Sequence, residues 1–395
     1  MRIVMFTETY LPYINGVVTH ISILKEGLEK LGHDVFIVTS NTDVKHHVLK
    51  DNILYCPAKS MKKIYGYGLS FPVSQKRFNI IKRWNPDICH VHQEFGVGLF
   101  GAIAAKMLKI PLVYTVHTMY DEYIYYVAPK LLEKPIKGIS HMYFRFFTHR
   151  ASEITGPSKK SDDFVKIMGS RKAVTVVPNC VELAAYNREL ISEADALLIR
   201  DKYNIPHDKC VALFVGRLGR EKSVDVILEN WSKTINKEDN LHLMVLGNGP
   251  ELEALQKQAI DLGLSGMVTF TKEVLHAETV PYYAACDIYL TASLSDTMSI
   301  SMLEGMAMGL PVIQRYDPIN LDQVISGTNG YLFHNAKEMA SALREFRDLD
   351  AESKSSFRKK SSESVGSLGS IDLGKNLYKV YESAVIKYKN RKRKT

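Results

Sequence analysis

The chain has 395 residues, of which 46% are hydrophobic and 24% charged, and its formal net charge is +8. This length exceeds one ordinary hydrophobic core and predicts two domains, and the composition is typical of globular proteins. The five cysteines are scattered and match no metal-site spacing or disulfide framework, which predicts a reducing cytoplasm. The first residues form too short an apolar run for a signal peptide, and no apolar stretch reaches the roughly 20 residues that cross a bilayer.

The N-terminal pattern predicts a strand–helix–strand unit. Residues 2–6 read as a buried strand, 17–31 carry apolar residues at helical spacing, and 35–39 read as a second strand. The first turn lacks the glycine fingerprint of dinucleotide-binding folds, so a nicotinamide cofactor is not indicated. Asn15-Gly16 at the helix start would let the backbone approach a phosphate, but a plain tight turn explains this pair equally well.

Polar and aromatic residues follow two further predicted strands, at 88–92 and 112–116. His117 comes directly after the second strand, and the sequence His-Gln-Glu occupies 92–94. The carboxyl ends of parallel strands line the ligand crevice of α/β folds. A single histidine at such a place is more often structural, but the polar residues around His117 favour a functional site.

Two stretches, 71–84 and 134–150, interleave bulky apolar residues with cations, and the tail 387–395 is nearly all basic. Basic proteins seek nucleic acid, anionic membranes or anionic substrates. Helices of this kind can lie in a membrane interface with their cations toward anionic headgroups. Each stretch is equally consistent with packing on a domain core, and the tail with a solvated end. Together they make interfacial binding a second hypothesis.

A second set of strands and helices begins with the predicted strand 211–215. This strand runs into a glycine-containing turn that carries Arg217, Arg220 and Lys222, and a helix is predicted from Ser223. Arginine binds phosphate oxygens with two parallel hydrogen bonds, lysine acts as a point charge, and helix N–H groups attract anions. The turn therefore predicts a diphosphate site, with an exposed basic loop as the alternative.

Two acids, Asp296 and Glu304, flank a polar loop and lie before and within a predicted helix at 300–308. Gly309 and Pro311 end this helix, because glycine accepts positive φ and proline cannot continue the hydrogen-bond ladder. Carboxylates beside a phosphate site are useful if they accept hydrogen bonds from sugar or ribose hydroxyls. The alternative is a capping acid and an exposed helix acid.

Three motifs, taken in order, resemble those of retaining glycosyltransferases of family 4, which have the GT-B fold. They are Gly216-Arg217…Glu221-Lys222, Gly247-x-Gly249-Pro250 and acid-x7-Glu ending at Glu304. Within that family the segments 11–20, 94–98 and 117–123 look like the bacterial 1,2-diacylglycerol 3-glucosyltransferases. The resemblance covers essentially the whole chain.

The resemblance implies an α/β protein with two Rossmann-like parallel-sheet domains facing a central cleft. Residues 1–180 would form an acceptor- and membrane-facing domain, and 181–371 a nucleotide-sugar-binding domain. Residues 372–395 would form a helix that packs back on the first domain and carries the basic tail.

The implied activity is transfer of glucose, with retention, from UDP-glucose to the 3-hydroxyl of 1,2-diacylglycerol. The enzyme would work peripherally on the cytoplasmic face of an anionic membrane, without a metal or cofactor and without nucleic acid. Alternatives are transfer to glucosyl-diacylglycerol or to another lipid-linked or polysaccharide acceptor. An inactive donor-binding protein at the membrane surface is an alternative of another class.

The resemblance also implies roles for single residues. Arg217 and Lys222 would bind the donor diphosphate, Asp296 the donor sugar and Glu304 the ribose, and His117 would lie near the anomeric carbon. The further donor-binding residues would be Gly16, Val274, Thr297, Met298, Ser299 and Ile300. The acceptor and membrane residues would be Glu94, Phe95, Tyr120, Lys76, Arg77, Lys137 and Arg145.

Three departures from the family pattern concern Asp296, Ser299 with Gly305, and Cys180. Asp296 is one methylene shorter than the commoner glutamate, Ser299 stands where a small residue or glycine is usual, and Gly305 stands where alanine is commoner. Cys180 replaces a glycine, and its Cβ disfavours positive φ. The first two touch the predicted donor pocket and leave glucose versus galactose open.

Overall fold

The computed structural model describes residues 1–13, 15–61, 68–119, 121, 132–321 and 323–393. The chain divides into a first unit, Met1–Asn179 with Ser370–Thr395, and a second unit, Cys180–Gly369. The sequence predicted domain boundaries after residues 180 and 371. Both units are α/β with a sheet made largely of parallel strands, so the predicted fold class is confirmed.

The first unit is built on a sheet with the strand order β3-β4-β2-β1-β6-β7-β8-β9, and β5 pairs with β4. Its strands are β1 (Arg2–Thr7), β2 (Asp34–Asn41), β3 (Val48–Lys50), β4 (Ile53–Ser60), β5 (Gly68–Ser70), β6 (Ile88–Val91), β7 (Leu112–Thr115), β8 (Glu153–Gly156) and β9 (Thr175–Val176). Its helices are α1 (Gly16–Lys30), α2 (Gln75–Trp84), α3 (Gly96–Leu108), α4 (Glu133–Arg150), α5 (Lys159–Ile167) and α13 (Ser370–Arg393). The order reverses at β1, which pairs in parallel with both β2 and β6. Such a switch point opens a crevice at the carboxyl ends of the strands.

The central strands of the first unit, β1, β6, β7 and β8, are buried along nearly their whole length, as expected for a parallel sheet that is covered on both faces. Residues Ile3, Val4, Met5 and Phe6 of β1 are fully buried. Thr7, Val91 and Thr115 end three neighbouring strands, so the loops that follow β1, β6 and β7 meet at one edge of the sheet. The predicted strands at 2–6, 88–92 and 112–116 agree with these bounds within one residue.

The last helix, α13, belongs to the first unit and packs on α1. A methyl group at Gly27 of α1 would collide with the carbonyl oxygen of Ser370 at the start of α13. Farther along α13, Tyr378 stacks on His33 with 4.7 Å between ring centroids, and the Tyr381 hydroxyl lies 2.8 Å from His90 Nδ1. The helix spans Ser370–Arg393, close to the predicted 372–395, and its early turns are buried against α1.

The second unit is built on a sheet with the order β12-β11-β10-β13-β14-β15, and the strand pairs are parallel. Its strands are β10 (Cys210–Val215), β11 (Leu241–Leu246), β12 (Val268–Lys272), β13 (Ile288–Thr291), β14 (Val312–Arg315) and β15 (Gly330–Phe333). Its helices are α6 (Glu193–Lys202), α7 (Val224–Thr234), α8 (Leu252–Asp261), α9 (Val280–Ala284), α10 (Ile300–Ala307), α11 (Ala336–Asp348) and α12 (Ala351–Glu363). Apolar clusters around Trp231 and Tyr283 form its core on the two sides of the sheet.

Two helix ends in this unit are fixed by single residues beside them. Gly309 takes φ +77° just after α10, as the predicted stop requires. The Asp350 side chain accepts a hydrogen bond of 2.7 Å from the Ser353 N–H and caps α12, a helix that the sequence analysis did not predict.

Among the described residues, no helix combines the length and the apolar character needed to cross a bilayer.

Candidate active site

The predicted diphosphate turn lies at the carboxyl end of β10 in the second unit. Gly216 follows the strand, a short 3-10 helix spans Arg220–Lys222, and α7 begins at Val224. The neighbouring turn after β11 packs directly on it, because a Cβ at Gly249 would collide with the backbone of Leu218. The two glycine-containing motifs that are far apart in sequence are therefore in contact, backbone against backbone.

Both predicted diphosphate cations are ion-paired. Lys222 Nζ lies 2.5 Å from Asp296 Oδ1, and their side chains are 19% and 25% exposed. Arg217 Nη2 lies 2.5 Å from Glu221 Oε1, a carboxylate whose side chain is fully buried. These pairs hold the two cations at the edge of the sheet and offset part of their charge.

Serine side chains tie the loop that precedes α10 to the cation-bearing turn. The hydroxyls of Ser293 and Ser295 donate to the carbonyl oxygen of Glu221 at 3.2 and 2.9 Å. Ser301 donates to the carbonyl oxygen of Val215 at 2.9 Å. Ser299 caps α10, since its hydroxyl accepts from the Met302 N–H at 3.4 Å. The departure from the family pattern at this position thus supplies a helix cap.

Glu304 is buried and both of its oxygens are engaged. Oε1 lies 2.8 Å from His276 Nε2, and Oε2 accepts a hydrogen bond of 2.7 Å from the Tyr283 hydroxyl. The hydrogen bond with Glu304 raises the pKa of His276 above its usual range. Burial and the nearby Glu304 charge also raise the pKa of Tyr283. The alternative of an exposed helix acid is therefore excluded for Glu304.

The remaining predicted donor residues lie in both units. Thr297 and Ile300 are buried, Met298 is half-buried, and Val274 is a half-buried residue just after β12. Gly16 belongs to the first unit and is the first residue of α1, where the side chain of Asn15 accepts from the Val18 N–H at 3.0 Å. The pair Asn15-Gly16 thus starts a capped helix.

In the first unit, His117 lies in a cluster with two other histidines, His20 of α1 and His92 after β6. His92 Nδ1 is 2.9 Å from His117 Nε2, and His20 Nδ1 is 3.0 Å from Asn179 Oδ1. Burial lowers the pKa of His20 to about 4 and lowers those of His92 and His117 well below 6.5. The three rings are therefore neutral at pH 7.

The predicted acceptor residues after β6 have different environments. Glu94 is buried and its Oε1 accepts from the Tyr114 hydroxyl at 2.5 Å. Phe95 is 43% exposed and stacks on Tyr143 of α4 with 6.3 Å between ring centroids. Tyr120 lies outside the described residues.

The predicted membrane cations divide into exposed and buried ones. Lys76, Lys137 and Arg145 are exposed, and Lys137 pairs with Asp121 at 2.7 Å. The prediction for Arg77 is wrong, because this side chain is only 2% exposed. Its guanidinium lies 4.7 Å from the centroid of the Phe100 ring and Nη2 donates to the Phe71 carbonyl, so it supports the core of the first unit.

Five exposed apolar residues lie in or beside the segments that carry the predicted acceptor and membrane residues, and one of them, Phe95, was itself among those predictions. They are Phe71 (74% exposed), Val73, Phe95, Ile139 and Met142, and we refer to these five as the apolar patch. Phe95 and α4 are linked by the ring contact with Tyr143, and a Cβ at Gly96 would collide with the Ser70 carbonyl that precedes Phe71. Large exposed apolar surfaces mark sites that bind proteins, ligands or membranes.

Other residues of the site were not predicted from the sequence. Glu221 and His20 stood in the quoted motifs without a role, and His276 and Tyr283 carried no local signal. Their positions depend on contacts between segments that are far apart in the chain, such as His276 with Glu304.

The two α/β units with largely parallel sheets, and the cations and acids at the carboxyl edge of the second sheet, have the arrangement that the resemblance to GT-B glycosyltransferases implied. Residues 14–185 match the family model described as Glycosyltransferase Family 4, and 195–364 match the one described as Glycosyl transferases group 1. The chain belongs to glycosyltransferase family 4. It resembles the diacylglycerol glucosyltransferases within that family.

Two relatives carry the name alpha-monoglucosyldiacylglycerol synthase. The Streptococcus pneumoniae protein is 31% identical over 387 residues, which cover 98% of this chain and 86% of that protein. The Acholeplasma laidlawii protein is 30% identical over 355 residues, which cover 88% of each.

Solved structures with low sequence identity share the fold. HepE from Anabaena, solved with UDP and glucose, superposes with a TM-score of 0.73 at 17% identity and covers 96% of this chain and 99% of that one. Sucrose-phosphate synthase from Thermosynechococcus elongatus gives a TM-score of 0.72 at 16% identity, covering 96% and 98%. These similarities confirm the predicted GT-B architecture.

Proposed function

We propose that the protein transfers glucose from UDP-glucose to the 3-hydroxyl of 1,2-diacylglycerol, with retention and without a metal ion. The observation that carries this proposal is the identity of about 30% with two alpha-monoglucosyldiacylglycerol synthases over most of both chains. The arrangement of charged residues at the edge of the second unit is consistent with it.

The cation-bearing turn supplies the chemistry of the leaving group. Arg217 and Lys222 would bind the donor diphosphate and stabilise the negative charge that develops on UDP as the glycosidic bond breaks. Their ion pairs with Glu221 and Asp296 orient the two cations before the donor arrives. Fixed cations can stabilise the negative charge on the leaving UDP, as a divalent metal ion would. The proposed reaction therefore runs without a metal ion.

The acids recognise hydroxyl groups in this proposal. Glu304 would accept from the ribose hydroxyls, Asp296 would accept from the donor sugar, and Val274 would lie at the uracil. Because the His276 and Tyr283 contacts already fix the Glu304 carboxylate, little ordering entropy is lost on binding. The nucleophile is the acceptor hydroxyl, which attacks on the face from which UDP leaves, so no residue is assigned as a covalent nucleophile.

From the first unit, Gly16 would contribute its backbone to the phosphate and His117 would lie near the anomeric carbon. These two roles rest on the family resemblance. The geometry that supports them is local: Gly16 lies at a capped helix N-terminus and His117 follows a buried strand.

The apolar patch is the surface that we propose for the lipid. A diacylglycerol acceptor stays in its bilayer, so an enzyme acting on it needs a face that enters the interface. Phe71, Ile139 and Met142 offer exposed apolar side chains, and Lys137 and Arg145 on the same helix, α4, offer cations to anionic headgroups. The inner face of the cell membrane is the proposed place of action, where nucleotide sugars are available.

Nucleotide release tests the donor. The purified protein is incubated with UDP-glucose, UDP-galactose or GDP-mannose, together with vesicles that contain diacylglycerol or glucosyl-diacylglycerol, in buffer with EDTA. We expect UDP release that requires diacylglycerol and is fastest with UDP-glucose. Faster release with another donor would overturn the glucose assignment, and a requirement for glucosyl-diacylglycerol would support the second-sugar reaction. No release with any combination would favour an inactive donor-binding protein.

Vesicle sedimentation tests the membrane face. The double change Ile139→Glu with Met142→Glu should weaken binding to both neutral and anionic vesicles by about tenfold or more, since it removes two apolar anchors. The double change Lys137→Ala with Arg145→Ala should weaken binding only to anionic vesicles and mainly at low salt, because exposed charges are screened. Ile260→Glu, at an exposed apolar position of the second unit, is the matched control. Unchanged binding of the Ile139/Met142 variant would remove the apolar patch from the interface.

A further inference from the structure

The histidine cluster of the first unit offers more than one ring to a ligand. His20, His92 and His117 each present a ring nitrogen, and these three atoms lie within 4.8 Å of one another. Within the described part of the chain, they are the one group of three or more histidine, cysteine or acidic side chains that meets this distance. The cluster lies at the carboxyl edge of the sheet, because His92 follows β6 and His117 follows β7.

Two nitrogen atoms of the cluster are buried without a hydrogen-bond partner, His20 Nε2 and His92 Nε2. A buried polar atom left unpaired carries a cost, so each such atom in a folded protein calls for an explanation. Neighbouring His90 differs, since its Nδ1 contacts the Tyr381 hydroxyl and its Nε2 the Thr115 hydroxyl, at 2.8 and 2.7 Å. Among these neighbouring rings, the buried nitrogens without a partner are therefore those of His20 and His92.

The position of Asn179 fixes the tautomer of His20 that ligation needs. His20 Nδ1 donates its hydrogen to Asn179 Oδ1 at 3.0 Å, which leaves the lone pair on Nε2. Histidine ligands of metal ions commonly donate their other ring N–H to an oxygen in this way.

We propose that His20, His92 and His117 form a binding site for a divalent transition-metal ion, with Zn²⁺ as the probe. Neutral imidazole suits zinc and its neighbours in the first transition row. A tetrahedral zinc site with Zn–N bonds of about 2.0–2.1 Å sets its nitrogen ligands about 3.4 Å apart, so ring movements of about an ångström would close the cluster on the ion. Three protein ligands leave the fourth position to water or hydroxide, and half-buried His117 provides the route for entry.

Occupancy of this site would inhibit transfer. This second part rests on the proposed function, in which His117 lies near the anomeric carbon of the donor. A ring nitrogen bound to zinc cannot also contact the sugar, and the ion brings positive charge beside the reacting centre. The site is therefore regulatory in this proposal, and turnover itself remains independent of metal.

Zinc binding by the full-length protein tests the site without any activity measurement. The protein is titrated with ZnCl₂ against a chromophoric chelator, and Co²⁺ is used in parallel because its visible absorption intensifies in tetrahedral coordination. We expect one equivalent to bind, and His20→Asn to weaken binding at least tenfold. Asparagine keeps a side-chain donor for Asn179 and removes only the atom that would ligate.

Two controls separate the cluster from adventitious binding. His242→Gln changes a buried histidine of the second unit that also has one unpaired ring nitrogen, and His46→Asn with His47→Asn removes a surface pair. Both should keep the wild-type zinc affinity. Equal affinity of wild type and His20→Asn, or loss of binding only in the surface variant, would overturn the site. Circular dichroism of each variant confirms that it is folded.

Inhibition by zinc is tested separately, by measuring the rate of sugar transfer. Zinc at a concentration that saturates the site should abolish transfer by wild type and leave the rate of His20→Asn within twofold of its own rate in EDTA. If zinc binds through His20 and transfer continues unchanged, the regulatory role is overturned while the site stands. If the protein transfers no sugar at all, the proposed function fails while the binding result is unaffected.

Discussion

At the scale of single residues, the two ion pairs after β10 differ in burial. Glu221 is fully buried beside Arg217, whereas Asp296 keeps a quarter of its side chain exposed beside Lys222. Removing the partner of a buried charge leaves that charge uncompensated, while a partly exposed carboxylate can be hydrated. The two cations therefore play the same proposed role toward the donor but different roles in stability.

Lys222→Ala should lower the rate of transfer about 100-fold or more, since it removes a fixed donor to the leaving group. Arg220→Ala is the matched control, because Arg220 lies on the same turn but is 69% exposed and pairs with Glu251. Steady-state kinetics with UDP-glucose measures both. Equal rates for wild type and Lys222→Ala would remove Lys222 from the diphosphate site.

Arg217→Ala should lower both the rate and the free energy of unfolding, the latter by about 1–3 kcal/mol, since Glu221 loses its partner in the interior. Lys222→Ala should leave the free energy of unfolding nearly unchanged. Urea denaturation of the two variants measures this contrast. Similar losses of unfolding free energy in both would show that burial of Glu221 does not determine the stability cost of removing its partner.

The contact between His276 and Glu304 predicts a pH dependence of stability. The pKa of His276 is raised in the folded protein, so the ion pair stabilises fully below about pH 6.5 and its contribution is lost as pH rises through the raised pKa. His276→Gln keeps a hydrogen-bond donor but has no charge. Its free energy of unfolding should be below wild type by roughly 1 kcal/mol or less at pH 6, and the gap should close by pH 9.

Urea denaturation at both pH values measures this gap, with His46→Gln at an exposed histidine as the control. A gap that widens with pH would contradict an ion pair between His276 and Glu304.

Residue types at the donor site could be predicted from the sequence, but their pairings could not. The local pattern reveals strand-to-helix turns that carry Arg217, Lys222 and Asp296, and a helix that carries Glu304. The Lys222–Asp296 contact joins segments 74 residues apart and depends on the order β10-β13 in the sheet. For Arg77 the predicted location was wrong. As a cation in an amphipathic pattern it was expected at the surface, but it lies over the ring of Phe100 in the interior.

At the scale of elements, the contact between α1 and α13 holds the last helix in the first unit. The helices approach closely at two glycines, since a Cβ at Gly27 would collide with Ser370 and one at Gly374 would crowd the backbone of Gly27. This close packing lets α13 bury Leu373, Leu377 and Tyr381.

Gly27→Ala should lower the free energy of unfolding by about 1–3 kcal/mol, because the added methyl group forces the two helices apart. Gly138→Ala is the matched control, since a Cβ at that position of α4 meets nothing within 4 Å. It should raise the free energy of unfolding by roughly 0.5–1 kcal/mol through helix propensity. Denaturation curves for both variants test this pair, and equal effects would contradict the packing of α1 on α13.

Strands and amphipathic helices were predictable because their apolar periodicity is local. The bounds of β1, β10 and α10 agree with the sequence patterns within one residue. In contrast, α12 is polar and its few buried residues, such as Phe357, give no clear periodicity.

At the scale of the whole molecule, the motifs of the second unit predicted the family, and the predicted fold class was confirmed. The acceptor side was harder to predict. In 71–84 and 134–150 the sequence showed bulky apolar residues interleaved with cations, and it left open whether the apolar side chains face a membrane or the domain core. The structure shows that some of them, such as Phe71 and Met142, are exposed. The exposure of such residues becomes visible only when the neighbouring elements are placed.

The most direct measurement is analysis of the product made from UDP-glucose and diacylglycerol vesicles in the presence of EDTA. Mass spectrometry should show one hexose added to diacylglycerol, and the anomeric proton coupling should show an α linkage, as retention requires. The Lys222→Ala protein should form the same product much more slowly. A β-linked product, a product that forms only on glucosyl-diacylglycerol, or no product would each contradict the proposed reaction.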